Sequence, residues 1–267
     1  MNLGKLKTFT TSMLLFIFVI ILLFLRLHTC ERFSNRDQLI HTFNENGSII
    51  VPNVLDNNDC NSILDIIKEE EYLKDRKYGA INSNYKRKDL MLSVKKMKPY
   101  IKKIRDKIDP FCDIITPNGE MVECSSLISY PGCYPQIWHS DTKYSSDNDG
   151  NLVSFGIALD DITSDMGPLE VYLKSNKLYK DDIFVPDDHL FGDIDDGLKK
   201  QNDEELCKRM NLQKVKCCCK KGSLVIWSSK VIHRGGQNTS NKKRPVFYFS
   251  LLGKGDRPEG STYSIKK

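Results

Sequence analysis

His139 and Asp141 stand two positions apart and are the first residues of this chain that could do chemistry together. In an extended strand, alternate side chains point to the same face, so both could approach one ion. His233, far along the chain, offers a second imidazole. Two imidazoles and one carboxylate on one side of an ion leave its other positions open, as non-haem Fe(II) oxygenases require. Structural zinc more often has a closed set of four ligands.

The H-x-D pattern alone is weak evidence, because such a pair often arises by chance and a strand histidine is usually half-buried scaffold. Its combination with Arg244 is more informative. This arginine stands eleven residues after His233, at the start of the last candidate strand. A planar guanidinium binds a carboxylate through two parallel hydrogen bonds, so it could hold the distal carboxylate of a 2-oxo acid whose other end chelates iron.

The elements that must position these residues begin near Met121, where the hydrophobic pattern becomes β-like. Short apolar segments follow one another, separated by Gly, Pro, Asn and Asp. The candidate strands are 122–130, 135–139, 151–159, 168–173, 214–219, 223–228, 231–233 and 244–252. Such a succession predicts a mainly β fold, a sandwich or jelly roll, over 121–267. An acidic region at about 178–212 interrupts the strands and is predicted to be an insertion or lid.

Residues 49–120 are predicted to form the helical N-terminal part of the same domain. One surface helix is expected after Asp56, where cap candidates precede apolar positions. A second helical pattern runs from about Leu90 to Ile108, with lysines on its other face. Pro99 is expected to kink or divide this helix, and the Asp-Pro pair after it to end it.

The N-terminal residues 1–28 are predicted to be a membrane anchor. Met13–Leu25 is wholly apolar, and with its flanks the low-polarity stretch approaches the length that crosses a bilayer. A cleaved signal peptide, and hence a secreted protein, is the alternative, because Lys5 and Lys7 supply a basic start. Nothing like an A-x-A site follows, so we expect an uncleaved signal anchor and a polar stem at 29–48.

Basic residues flank both sides of the apolar stretch, so the placement of the catalytic domain in the lumen or outside the cytoplasm rests on the habit of signal anchors alone. Two sequons, Asn46-Gly-Ser and Asn238-Thr-Ser, would accept glycans only in that compartment. Nine cysteines would permit up to four disulfides there, although their pairing cannot be read from the sequence.

Composition is typical of one large globular domain. The chain has 267 residues, of which 40% are hydrophobic and 28% charged. Its formal charge of +5 comes with lysine-rich segments at 85–107 and 216–221. No aromatic interleaving or binding motif accompanies them, which favours solvated surfaces over a nucleic-acid site.

From Met121 to Gly253 the sequence resembles the phytanoyl-CoA dioxygenase family of Fe(II)/2-oxoglutarate-dependent oxygenases. The motifs that carry the resemblance are W-H-S-D-T (138–142), V-S-F-G-I-A-L-D-D-I-T (153–163), M-G-P-L-E-V (166–171), K-G-S-L-V-I-W (221–227), V-I-H-R-G-G-Q-N (231–238) and K-R-P-V-F-Y-F (243–249). The resemblance implies a double-stranded β-helix core preceded by helices. It also implies that His139, Asp141 and His233 bind Fe(II) and that Arg244 binds 2-oxoglutarate.

The same resemblance implies hydroxylation with O₂, coupled to oxidative decarboxylation of 2-oxoglutarate to succinate. Relatives that halogenate have a small residue where this chain has Asp141. The substrate, a small molecule or a lipid-like compound, is not identified, because the family's G-P-L-x-x-x-P-G-S-H turn is replaced by G-P-L-E-V-Y-L-K-S-N-K from Gly167. Tyr130, Trp138 and Trp227 are candidate pocket residues, although packing of the barrel is the favoured role of both tryptophans and Tyr130 could simply close its strand.

Two other functions remain open at this point. The first is a membrane-anchored hydroxylase of prolyl or lysyl side chains in proteins, which a lumenal domain would suit. The second is a non-catalytic jelly-roll module that binds a ligand or partner, with the histidines and the aspartate as scaffold.

Overall fold

The computed structural model describes residues 37–74, 86–142, 148–178 and 196–258. The predicted anchor at 1–28 lies outside these residues, and none of the helices within them has the length and apolar character needed to cross a membrane. The chain divides into two compact units, Met1–His41 and Thr42–Lys267. The described strands all belong to the second unit.

Within these ranges, nine strands form two antiparallel sheets. In chain order they are β1 (Ser48–Val51), β2 (Arg87–Met91), β3 (Glu120–Ser129), β4 (Leu152–Ala158), β5 (Leu169–Tyr172), β6 (Lys214–Lys216), β7 (Leu224–Ser228), β8 (His233–Gly235) and β9 (Arg244–Leu252). The larger sheet has the order β1-β7-β4-β9-β3-β2, and the smaller one β6-β5-β8. An antiparallel bridge from His139 to His233 adds one more segment beside β8.

After β4 the chain crosses between the two sheets at every step except from β5 to β6, which is the crossing pattern of a jelly roll. The predicted mainly β fold with flanking helices is therefore confirmed. On one face of the larger sheet, buried Phe155 of β4 stacks on buried Phe249 of β9 with ring centroids 4.9 Å apart. The other face lines the interior of the roll. There the indole of Trp227 lies 6.1 Å from the imidazole of His233, measured between ring centroids.

Five α-helices are described: α1 (37–46), α2 (Asn57–Lys74), α3 (Val94–Ile108), α4 (Phe111–Ile115) and α5 (Asp196–Arg209). The start of α2 is capped as predicted, since the carboxylate of Asp56 accepts a hydrogen bond of 2.8 Å from the amide of Asp59. Helix α3 is amphipathic and buries Met97, Ile101, Ile104 and Ile108.

The structure differs from the sequence prediction at two places in 49–120. The segment is not wholly helical, because β1 and β2 extend the larger sheet at its two edges. Leu90 belongs to β2, and the helix begins only at Val94. Pro99 also does not divide α3. A proline removes one intrahelical hydrogen bond, but buried apolar residues hold the helix on both sides of it.

Two further segments differ from the sequence prediction. The candidate strand 135–139 is reduced to the single bridge at His139. Helix α5 lies in the interrupting region, of which 179–195 falls outside the described residues. The eight cysteines in the described ranges are all free thiols, so none of the disulfides that a lumenal location would permit is formed among them. Burial raises the pKa of Cys112 and of Cys124 to about 12, which keeps these thiols protonated near neutral pH.

Candidate metal centre and co-substrate pocket

The structure brings together the three residues predicted to bind a metal. One carboxylate oxygen of Asp141 lies 3.6 Å from Nε2 of His139 and 3.6 Å from Nε2 of His233. The ligand atoms of all three residues lie within 4.8 Å of one another. Metal–ligand bonds to histidine and carboxylate are about 2.0–2.2 Å long, so one ion can reach all three atoms.

Backbone pairing places the two imidazoles side by side. The amide of His139 donates to the carbonyl of His233 at 3.0 Å, and the amide of His233 donates back at 2.8 Å. Residues that exchange both hydrogen bonds in an antiparallel pair stand directly opposite each other on one face. Asp141 is held by the residue that follows β7, because the amide of Asp141 donates to the carbonyl of Ser229 at 2.8 Å.

Each imidazole is oriented by the carbonyl two residues before it. Nδ1 of His139 lies 2.7 Å from the oxygen of Ile137, and Nδ1 of His233 lies 2.9 Å from that of Val231. A carbonyl only accepts, so each Nδ1 carries a proton and Nε2 is the nitrogen that faces Asp141 and can bind a metal. This is the tautomer that a metal needs, and hydrogen bonds of this kind hold metal-binding histidines in the required orientation.

Arg244 occupies the first position of β9 and is 5% exposed. Its Nη2 donates to the hydroxyl of Ser129 at 2.9 Å, whereas its Nε is buried without a hydrogen-bond partner in the described part of the chain. Burial, and then the charge of Arg87, lower the pKa of Arg244 to about 10. A buried cation with an unsatisfied N–H is costly unless an anion pairs with it.

The donor set and the unsatisfied arginine fit Fe(II) and a 2-oxo acid carboxylate, respectively. Two imidazole nitrogens and one carboxylate oxygen leave other coordination positions of the ion open to further ligands. Trp227 adds a second orphaned donor, because its indole Nε1 is buried and makes no hydrogen bond with the described residues. The position of Trp227 beside His233 makes it part of the pocket wall.

The other two candidate pocket residues lie elsewhere. Trp138 precedes His139 and therefore points to the opposite face, where it packs on Tyr172 with ring centroids 4.5 Å apart. Its buried neighbours there include Leu206 of α5. Tyr130 likewise follows an inward-facing serine, and its hydroxyl donates to Glu71 of α2. Strand alternation turns both side chains away from the metal centre, so Trp138 packs the fold, as favoured from the sequence, and Tyr130 does not line the pocket.

Sequence reasoning missed two buried polar residues of this site, Arg87 and Ser129. Arg87 stands in a lysine-rich segment whose composition indicated a solvated surface. In the structure it is 7% exposed and begins β2. Pairing with β3 puts Arg87 opposite Ser129, a contact between distant parts of the chain that no local pattern reports.

The family model of phytanoyl-CoA dioxygenase (PhyH) matches residues 43–246, which is most of the chain. The match covers the whole triad and Arg244. A search among curated proteins found no match.

Solved structures share the fold. The α-ketoglutarate-dependent carbocyclase SnoK from nogalamycin biosynthesis matches with a TM-score of 0.60 at 14% identity, over 85% of this chain and 95% of SnoK. The epimerase SnoN, in complex with Fe³⁺, α-ketoglutarate and nogalamycin RO, matches with 0.57 at 12%, over 82% and 84%. AviO1 from Streptomyces viridochromogenes Tue57 matches with 0.58 at 15%, over 84% and 98%. Identities this low indicate a common fold alone.

Proposed function

The chain belongs to the phytanoyl-CoA dioxygenase family of non-haem Fe(II)/2-oxoglutarate-dependent oxygenases, and from this premise we propose that it hydroxylates a polar small molecule. The observation that carries the proposal is the complete triad of His139, Asp141 and His233, with its ligand atoms within 4.8 Å of one another. The presence of Asp141 favours hydroxylation over halogenation, because an aspartate at this position fills the site that a halide would need.

Bound Fe(II) and 2-oxoglutarate together supply the oxidising power for C–H hydroxylation by O₂. The chain itself holds and orients them. The three ligand residues would occupy one side of the metal position, and Arg244 would offer its Nε, which no described residue binds, to the distal carboxylate of 2-oxoglutarate. Trp227 and the buried strand residues around it exclude water from that side of the pocket.

The interior of the roll has an apolar half that is already filled. One cluster contains Val171 of β5, Val225 of β7 and Cys217, and Trp227 packs against it. This cluster closes the side of the roll near β1, β6 and β7. The space for a substrate therefore lies on the other side, between the triad and strands β9, β3 and β2.

That second half of the interior is polar. The hydroxyl of Tyr248 donates to Asp89 at 3.0 Å, and the hydroxyl of Ser250 donates to Glu123 at 2.6 Å. Ser154 and Ser250 hydroxyls are 2.8 Å apart. Burial, reinforced by the neighbouring carboxylates, raises the pKa of Tyr248 well above its usual value, so it stays a neutral donor.

Strand register puts this polar wall at the level of the metal centre. Ser154 pairs with Trp227 on one side and with Ser250 on the other, and Trp227 contacts His233. A long acyl chain there would remove water from a wall of carboxylates and hydroxyls and offer them no hydrogen bonds, which costs free energy. Hydroxyl or amine groups on a small molecule can add hydrogen bonds to such a wall, and we therefore favour a polar substrate over a lipid-like one.

The proposal is tested by incubating the Fe(II)-loaded protein with 2-oxoglutarate, O₂ and two sets of compounds, glycosides and fatty acyl-CoA thioesters. Product analysis by mass spectrometry should find a product one oxygen atom heavier from a polar compound. A product of unchanged mass or one that has lost two hydrogens would support a different reaction of the same enzyme class. Turnover of the acyl thioesters alone would contradict the polar substrate.

A further inference from the structure

Arg87, Ser129 and Arg244 form one row across three strands. Arg87 of β2 is paired with Ser129 of β3, which is paired in turn with Arg244 of β9. Directly opposed residues in antiparallel strands share a face, so all three side chains point into the roll. The hydroxyl of Ser129 accepts from Nε of Arg87 at 3.3 Å and from Nη2 of Arg244 at 2.9 Å. The two guanidinium groups are thus linked through one oxygen atom.

The other end of the Arg87 guanidinium binds the backbone on both sides of the metal centre. Its Nη2 donates to the carbonyl of Tyr134 at 3.3 Å, in the segment that leads to His139. It also donates to the carbonyls of Gly235 and Gly236, at 3.5 Å and 3.1 Å, just after His233. One buried side chain therefore connects the two segments that carry the histidine ligands.

The same contact explains why glycine stands at position 235. A Cβ there would lie 2.7 Å from the side-chain oxygen of Gln136 and 2.9 Å from Nη1 of Arg87. Gln136 in turn accepts from the amide of Gly235 at 2.8 Å. The two ligand-bearing segments approach each other here with no space for a side chain, and Arg87 closes the junction.

The burial and the charge of Arg87 cost stability, which indicates that the fold needs the shape of its guanidinium group. It is 7% exposed, and burial lowers its pKa. Neither Arg87 nor Arg244 is paired with a carboxylate among the described residues, so Arg87 adds a second buried charge at a cost in stability. A lysine could not replace it, because an ammonium lacks the flat fork that reaches the serine and the carbonyls together.

We propose that Arg87 is a positioning residue for the metal centre and for the co-substrate anchor. It holds the segments of His139 and His233 at their mutual distance through backbone carbonyls, and it fixes the Ser129 hydroxyl that orients Arg244. Loss of Arg87 therefore changes metal coordination even without co-substrate, whereas loss of Arg244 affects only the co-substrate. The inference rests on the metal site of the proposed function.

The test titrates the full chain with Co(II), whose visible absorption reports coordination geometry, in the absence and presence of 2-oxoglutarate. Arg87→Met should weaken Co(II) binding by about 10–100-fold, as expected when an outer contact of a metal ligand is lost, and should alter the absorption spectrum. Arg244→Met should keep the Co(II) affinity and spectrum but lose the change on adding 2-oxoglutarate. Arg105→Met, at the outer end of α3, is the matched control and should behave as wild type.

Circular dichroism and thermal melting establish which variants fold. If Arg87→Met does not fold, Arg87→Lys decides, and it should bind Co(II) more weakly than wild type with a changed spectrum. A folded Arg87 variant with wild-type Co(II) affinity and spectrum would overturn the positioning role. Failure of the wild-type chain to bind Co(II) would instead overturn the metal site itself, and with it the proposed function.

Discussion

At the scale of single residues, the site depends on polar side chains that use one atom for a hydrogen bond within the protein and leave another atom for a ligand. Both histidines use the carbonyl two positions earlier to fix the Nδ1 proton, so both present Nε2 to the same point. Arg244 has one of its nitrogens held by Ser129 and another left unsatisfied. This combination of a fixed and a free donor orients the guanidinium before any ligand arrives, which lowers the entropy cost of binding.

Replacement of Arg244 by lysine should weaken 2-oxoglutarate binding while sparing the metal. A point charge cannot make both hydrogen bonds to a carboxylate, and a hydrogen bond to a charged group contributes about 1.5–3 kcal/mol, which corresponds to roughly 10–100-fold in affinity. Isothermal titration of the Co(II)-loaded protein with 2-oxoglutarate measures this change. Arg105→Lys is the control. An unchanged affinity in Arg244→Lys would mean that the co-substrate carboxylate binds elsewhere.

At the scale of elements, the larger sheet and helix α3 form a scaffold that is separate from the chemistry. The apolar residues of α3 are buried on one face, and its lysines face solvent. Deleting a buried side chain there should therefore cost stability without moving the metal ligands, which are held by β8 and by the segment at His139.

Ile104→Ala in α3 should lower the free energy of unfolding by about 2–5 kcal/mol, because a fully buried isoleucine leaves a cavity when truncated. Lys102→Ala, on the exposed face of the same helix, should change it by less than about 0.5 kcal/mol. Urea denaturation followed by circular dichroism measures both. Equal effects of the two substitutions would show that the helix does not pack as described.

The central strands of the larger sheet were predictable from the sequence, and its edge strand β2 was not. Residues 244–252 were predicted as a strand with the observed bounds of β9, because this run of apolar and aromatic residues is a strong β signal. In β2 the sequence R-K-D-L-M continues into the lysine-rich helix without a change of composition. Only pairing with β3 makes it a strand, so its identity depends on contacts between distant residues.

Some residues of the candidate site were likewise predictable from the sequence and others were not. His139, Asp141, His233 and Arg244 were found because side-chain type and spacing define a metal site. Arg87 carries no such signal, since an arginine among lysines indicates a surface. Its burial follows from the register of β2, which the sequence alone does not determine.

At the scale of the whole molecule, the placement of the domain relative to a membrane is a prediction from residues 1–28. The two sequons provide a test of this placement, because the structure shows which asparagine is exposed. Asn238 is fully buried, and its Nδ2 donates to the carbonyls of Ser129 and Lys242 at 3.1 Å and 2.9 Å. A folded domain cannot accept a glycan on that nitrogen. Asn46, at the end of α1, is partly exposed.

If the catalytic domain is lumenal, expression through a secretory pathway should attach one glycan, at Asn46. Treatment with an endoglycosidase should then lower the apparent mass of the wild-type chain but not of Asn46→Gln. Absence of any glycan on the wild type would contradict the lumenal placement. A glycan that persists in Asn46→Gln would place it on Asn238 and contradict the burial of that side chain.

The central claim, an Fe(II)/2-oxoglutarate-dependent oxygenase built on this triad, is tested most directly by release of succinate from 2-oxoglutarate. The purified protein should release succinate only when Fe(II) is present, His233→Ala should lose this activity while remaining folded, and Lys102→Ala should keep it. Succinate release that is unchanged in His233→Ala would contradict the metal assignment. A folded, iron-loaded protein that neither binds nor turns over 2-oxoglutarate would contradict the claim as a whole and favour a non-catalytic binding module.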